Sequence, residues 1–267
     1  MNIGDLTITS LETITMFDIH TGDHRCTLDE LQTATIANTQ DKVDITGKGG
    51  RKLNSLKRNK AVVVSGANGL VSSGLIGIQT GSEVKTDVAA PIMWADYLTI
   101  TNNSATLTYA PVGTEGNEVE KLYVKTKYNT LGEKLIQNAT AGAGQFAYNP
   151  DTKALTFASD AYEDGTEIVV YYIRMIKAAA VVDNMSDVYS EKVIMYVDAM
   201  AEDSCNNIYR VQFYIPKADF SGNFDIALGD NQTVHAFEAE SLAGACGAAG
   251  KFWTYTVFGI DAADVVA

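Results

Sequence analysis

Apolar and polar side chains alternate at period two along much of the chain, the signature of strands with one covered face. In the first sixty residues this pattern appears in LTITS, in LQTATIAN and in KVDIT, where Val43 and Ile45 share a face. Between the first two, Thr27 and Glu30 have capping-box spacing and predict a single helical turn. The alternation stops at GKGGRKLNSLKRNK, Gly47 to Lys60, whose glycines and charges predict a long polar connection. AVVVSGANGLVSSGLIGIQTG follows, with apolar runs at 61–64 and 75–79 around a Gly/Ser/Asn segment, and reads as a strand pair joined by a wide loop.

Pro91 interrupts any helix across residues 82–96, which carry no clear pattern. From Tyr97 to Lys177 six short strands are predicted: YLTIT, ATLTYA, KLYVKTKY, QFAYN, ALTFAS and TEIVVYYIRMI. The turns between them (TNNS, GTEGNE, NPDTK, YEDGTE) are rich in residues that accept turn geometry. KAAAVVDNMSD reads as a return linker. Longer strands resume in EKVIMYVDAM, NIYRVQFYIP, QTVHAFEAES and KFWTYTVFGI, with KADFSGNFDIALGDN and LAGACGAAG as loops. In NIYRVQFYI, Tyr209, Val211, Phe213 and Ile215 share the face expected to be core. The expected fold is all-β: a sandwich or barrel domain made of both chain ends, 1–96 and 178–267, with a small β-sandwich module inserted at 97–177.

Composition adds an asymmetry. The 267 residues carry a formal charge of −13 and are 46% hydrophobic, enough for a core. Between Lys42 and Lys60 seven bases (Lys42, Lys48, Arg51, Lys52, Lys57, Arg58, Lys60) face one acid, Asp44, so that stretch is +6 and the rest −19. A mostly acidic surface disfavours nucleic acid and anionic membrane, while one basic segment can seek acidic surface on a neighbour. The segment lacks aromatic residues for base stacking. No run approaches the roughly 20 apolar residues of a membrane span, and MNIGDLTITS lacks the pattern of an export signal. Cys26, Cys205 and Cys246 are too few for a disulfide framework and fit a reducing compartment.

Candidate chemistry is sparse. GKGG at 47–50 departs from the phosphate-loop pattern, because Gly49 stands where Ser or Thr follows the lysine, and from the dinucleotide pattern, because Lys52 stands at the last glycine. No GxSxG occurs. His20 and His24, with Asp18, Asp23 and Cys26 nearby, have metal-type spacing, but Thr21-Gly22-Asp23 breaks the helix that would join them, leaving a polar hairpin tip. His235 has no nameable catalytic partner. DAYEDGTE lacks calcium-loop spacing, with Tyr162 and Tyr171 at ligand positions. The Asn138 and Asn231 glycosylation triplets carry no meaning without secretion. No catalytic residue, metal or cofactor is expected.

Residues 43–81, VDITGKGGRKLNSLKRNKAVVVSGANGLVSSGLIGIQTG, resemble the N-terminal part of tail tube (major tail) proteins of bacteriophages. IYRVQFYIPKADFSGNFDIALGDNQTVHAFEAESLAG is similar to the strand, Ile-Pro-Lys, loop and strand of their C-terminal half. Residues 97–177 look like an immunoglobulin-like insertion of the sort that decorates virion proteins. The resemblance implies a structural protein, not an enzyme, whose hexameric rings stack into a tube conducting DNA without tight binding. Its implied partners are further copies of itself and other tail proteins (sheath, terminator or baseplate). Its implied location is the virion tail, assembled in the bacterial cytoplasm. It further implies that the loop carrying Lys48, Arg51, Lys52, Lys57, Arg58 and Lys60 contacts the next ring. Two other readings fit an acidic β-rich chain: a capsid decoration or head protein, and a carbohydrate-binding module using Tyr123, Tyr128 and Tyr148.

Overall fold

The computed structural model describes residues 5–226, 234–243 and 250–259. Among the described residues the chain is all-β apart from one short α-helix and a 3-10 turn, and it divides into two compact units, Met1–Val84 with Val182–Ala267, and Lys85–Val181. Cys246 and Asn231 lie outside the described residues.

The first unit contains β1 (Leu6–Asp18), β2 (His24–Leu28), β3 (Leu31–Thr46), β4 (Lys52–Asn68) and α1 (Ser73–Thr80). After residues 85–181 it resumes with strands here numbered in chain order as β12 (Lys192–Asp203), β13 (Ile208–Phe220), β14 (His235–Ser241) and β15 (Thr254–Gly259). They form one antiparallel sheet in the order β2-β1-β12-β13-β14-β4-β3, with β15 also paired to β13. Strand β12 shows why the chain folds so: Val193, Met195, Val197, Ala199 and Ala201 are buried while every second residue between them is only half-buried. Of these, Val193, Met195 and Val197 meet Ile14, Met16, Leu28, Val64, Ile215 and Phe237 in one core. Val211 and Ile215 are fully buried, on the face predicted to be core.

Two local expectations change here. Residues 75–79 are helical rather than extended: the Ser72 hydroxyl accepts the Leu75 N–H, and Gly81 closes the helix in the left-handed region at φ 72°. Leu75 and Ile78 bury into the core, whose packing sets the conformation of a stretch that β-propensity alone misreads. The turn expected from Thr27 and Glu30 is absent, because residues 24–28 pair with β1 as a strand.

The second unit contains β5 (Lys85–Thr99), β6 (Ser104–Thr106), β7 (Lys121–Lys125), β8 (Leu131–Gln137), β9 (Gln145–Asn149), β10 (Ala154–Phe157) and β11 (Glu167–Val181). Their order is β5-β11-β7-β8-β9-β10-β6, antiparallel except for a short parallel pairing of β8 with β9. The units divide at Lys85 and Val181, whereas the sequence pattern pointed to 97 and 177, because β5 and β11 pair from Thr99–Glu167 down to Lys85–Val181. Pro91 is accommodated because β5 is an edge strand, where its missing N–H forfeits no ladder bond. KAAAV is likewise strand rather than linker. Strand β8 escapes the pattern because Leu135 alone is buried. The Asn102-Asn103 turn, both residues at positive φ, forms as predicted.

Leu122, Phe146, Leu155, Ile168 and Val170 make the second core, closed by a polar knot. Asp96 accepts from the Trp94 indole N–H (2.9 Å), the Thr108 N–H (2.7 Å) and the Tyr172 hydroxyl (2.8 Å). Burial works to raise its pKa, but these donors hold the carboxyl below the ordinary range. The Arg174 guanidinium lies 4.2 Å from the Trp94 ring centre and 3.7 Å from that of Tyr109.

A buried histidine ties α1 to the first sheet. His235 Nε2 is 2.8 Å from Gln79 Oε1, the Gln79 amide donates to the Ala236 carbonyl (3.0 Å), and the Ser72 N–H approaches Nδ1 at 3.4 Å. These partners assign a neutral ring protonated on Nε2, and burial lowers its pKa. The unfolded chain then binds the proton more readily, so the stability due to a neutral His235 is present above about pH 6.5 and lost as pH falls below it. Urea midpoints between pH 7.5 and 5.5 should fall for the wild type and change less in His235→Gln. Equal slopes would rule out the histidine as the cause.

Candidate functional site

The basic segment predicted as a loop is the outgoing strand of a long hairpin. Only residues 47–51 turn: Gly47 N–H donates to the Arg51 carbonyl (2.7 Å), Gly50 N–H donates to Gly47 (3.1 Å), and Gly49 and Gly50 have φ near 77° and 76°. On either side β3 and β4 pair from Leu31–Asn68 to Thr46–Lys52. Over the half near the core, Val62 and Val64 are buried; beyond residue 60 toward the tip no side chain is. The distal half is therefore a two-stranded ribbon with no covered face. That removes the period-two signal from the β4 arm and explains why residues 47–60 read as a loop, while the β3 arm kept its alternation in Val43 and Ile45.

A bulge marks the root. Thr39 pairs with Ala61 and Asp41 with Arg58, so two residues of β4 oppose one of β3. Asn59 sits there at φ 53°, and its amide donates to Asp41 Oδ2 (2.8 Å). Toward the tip, Lys42 pairs with Lys57, Val43 with Leu56, Asp44 with Ser55 and Ile45 with Asn54. The Val43–Leu56 and Ile45–Asn54 pairs share a face. On this ribbon Val43 is 36% exposed, Ile45 41%, Leu53 60% and Leu56 52%.

The structure thus distributes the six predicted contact residues along the ribbon. Lys48 and Arg51 are in the tip turn, Lys52 pairs with Asp44 at 2.8 Å, Lys57 opposes Lys42 and Arg58 opposes Asp41. Lys60 lies at the root, 5.6 Å from the Phe252 ring centre. The Lys52 partner holds the Asp44 carboxyl below its usual range, and Asp44 raises Lys52 in turn. Both groups are solvated, so the pair adds little stability. The sequence reading placed Val43 and Ile45 on one strand face but did not single them out, or Leu53 and Leu56, as exposed apolar contact residues. Their signal was present in Val-Asp-Ile and Leu-Asn-Ser-Leu, but charge counting passes over it.

A second feature of the first unit faces solvent. Beside the core lies an apolar cleft of about 430 Å³ lined by Ile8, Leu11, Ile36, Val197, Phe213 and Trp253, among others. Leu11, Ile36 and Phe213 pack on the core, and Ile8 at the rim is 54% exposed. The outer edge of β3 pairs with no other strand among the described residues.

The remaining candidates do not form a site. His20 and His24 flank a turn in which Asp18 accepts from the His20 and Thr21 N–H groups, and no group of three metal-type side chains occurs among the described residues. Asp164, in the loop considered for calcium, accepts the Asn102 N–H (2.8 Å). Tyr148 packs on the second core while Tyr128 stands 76% exposed between β7 and β8, so these two tyrosines do not present one exposed platform for a sugar. No helix among the described residues is long and apolar enough to cross a membrane.

A family model described as the YomU/Tube protein family matches residues 6–253. No curated protein matches the chain.

The bulge geometry generates a test. Asn59→Gly should leave stability within about 0.5 kcal/mol, since glycine accepts positive φ. Asn59→Val should destabilise the ribbon root by roughly 1–2 kcal/mol. Amide exchange of residues 52–60 in the two variants checks this, and equal protection would mean the bulge does not set the ribbon.

Proposed function

The chain belongs to the YomU/Tube protein family, which makes it a tube-like structural protein associated with phages, and we propose that it is a tail tube subunit. In this reading its copies form rings, hexameric by the resemblance, that stack into a DNA-conducting tube in the virion tail. Assembly takes place in the host cytoplasm, and sheath, terminator or baseplate proteins are the further partners. The chain performs no catalysis. The inserted unit is an immunoglobulin-like module on this reading, available for contacts outside the tube wall.

The observation that carries the proposal is the uncovered β3–β4 ribbon. A two-stranded ribbon is at best marginally stable in water, and this one exposes apolar side chains on strands beyond its core. Such an element is stabilised when a neighbour covers it. A contact between unlike surfaces of successive copies repeats head to tail, closing into a ring where the rotation closes and building an open filament where it does not. The free edge of β3 offers backbone groups for pairing within a ring. The segment's +6 against −19 elsewhere supports attraction between ribbon and neighbour. Acidic surface lining a lumen would let DNA pass without counterion-release binding.

Two experiments test the reading. Lys42 and Lys57 already oppose one another, so Lys42→Glu with Lys57→Glu exchanges one like-charge pair for another and should leave the monomer's melting temperature nearly unchanged. The same variant should prevent the tubes or stacked rings that negative-stain microscopy of the wild type should show at rising concentration. Unaltered tubes would remove the ribbon's charge from assembly. Separately, Lys85 and Val181 are cross-strand partners, so a short Gly/Ser linker can replace residues 85–181. The shortened chain should still form tubes, and failure to do so would assign the inserted unit to the tube wall.

A further inference from the structure

Residues of the first sheet that point away from its core gather a row of aromatic rings. On β1, Thr15 and Phe17 alternate with buried Ile14 and Met16; on β12, Ile194, Tyr196 and Asp198 alternate with buried Val193, Met195 and Val197. Gln212 and Tyr214 of β13 lie opposite Asp198 and Tyr196 on the same side. This side holds a pocket of about 510 Å³ lined by Thr15, Phe17, Gly22, Tyr196, Asp198 and Gln212, among others. We infer that the pocket binds a neutral oligosaccharide, with sugar rings against Phe17 and Tyr196 and hydroxyls on Asp198 and Gln212. The inference does not depend on the tube reading, and the site shares no lining residue with the ribbon or with Tyr123, Tyr128 and Tyr148 of the second unit.

The apolar half of the site is a strip. His24 on β2, Phe17 on β1, Tyr196 on β12 and Tyr214 on β13 follow one another with ring centres 5.9, 5.8 and 5.0 Å apart. Crossing four neighbouring strands, the row runs roughly 15 Å, about the length of three linked sugar rings. Phe17 meets Tyr196 nearly perpendicular, at 88°, and Tyr196 is tilted 34° from Tyr214. Rings packed on one another in sequence form a strip, whereas a compact organic cation needs several ring faces turned toward one point. His24 Nε2 is 2.8 Å from the Thr27 hydroxyl, which donates to the Thr15 hydroxyl at 3.4 Å, so hydroxyl groups border the strip and hold the imidazole in the row.

The polar half offers acceptors. The Gln212 amide donates to Asp198 Oδ1 at 2.9 Å. This cross-strand pair leaves Asp198 Oδ2, Gln212 Oε1 and the Tyr196 hydroxyl without a hydrogen-bond partner among the described residues. Asp198 is the one charged group among the described lining residues. Its charge opposes an anionic ligand, and a wholly apolar one would strip water from the carboxylate without replacing the lost hydrogen bonds. Hydroxyl donors are the complement of these oxygens. A saccharide supplies both halves at once, with C–H groups on its ring face and hydroxyls around its edge, in a pocket of ordinary ligand size.

The test titrates the full-length chain by calorimetry with three neutral probes, cellotetraose, maltotetraose and chitotetraose, and one acidic probe, a hyaluronan tetrasaccharide. Binding of at least one neutral probe is expected, weakened at least about tenfold by Asp198→Ala and by Tyr196→Ala. Tyr128→Ala, at an exposed ring of the second unit, should bind as the wild type does. Circular dichroism checks the fold of each variant, and if Tyr196→Ala does not fold, His24→Ala, at an exposed position, takes its place with the same expected direction. Failure of all three neutral probes to bind, binding of the acidic probe alone, or neutral binding unchanged in Asp198→Ala would overturn the site. Binding by monomer that disappears on assembly would assign the strip to a contact between copies and overturn it equally.

Discussion

The strands of the first unit are longer than the hydrophobic core that covers them, and much of the molecule follows from that mismatch. Backbone pairing runs along the whole β3–β4 ladder, each strand satisfying the donors and acceptors that its partner turns inward. Side-chain burial ends near residue 61. A ladder can be extended by local pairing, whereas a covered face needs a third element to supply the cover. The structure provides the first along the full hairpin and the second only along its base. The bulge at Asn59, where the twist of the ribbon changes, lies close to where the cover stops.

Electrostatics reinforces this division. The cations of the ribbon and the acids of the remaining chain are opposite in sign, so the ribbon is attracted to acidic surface wherever it can reach it. The one ion pair within it, Asp44 with Lys52, is short-range and solvated. Lys42 and Lys57 repel across the strands. A ribbon tuned for its own stability would alternate signs across the pair; this one forgoes that stabilisation, and its charge is directed outward.

Legibility in the sequence followed burial. Strand β12 was readable because alternate residues are buried along its length, and the Asn102-Asn103 turn because two asparagines accept positive φ where few residues do. Residues 75–79 were misread because a short apolar run fits strand or helix alike; the deciding features were Ser72 and Gly81 at its ends. The β3 arm of the ribbon was legible as a strand from Val43 and Ile45, whereas its β4 arm was legible only as a basic segment, since without a covered face nothing imposes alternation there. The same absence hid β8. Of the candidate site, charge located the ribbon, while the cleft is assembled from residues as distant as Ile8 and Trp253 and has no local signature.

The Lys85–Val181 strand pair has a consequence for how the chain reaches its fold. Strands β4 and β12 lie far apart in sequence, and β1 must find β12 across that whole distance, a separation that slows folding. Pairing β5 with β11 draws the two ends of residues 85–181 together, so a module that folds early behaves as a short effective loop within the remaining chain. The inserted unit then lowers the topological complexity of its host in place of adding to it. On that order of folding, the sheet completed last is the one that carries the long ribbon.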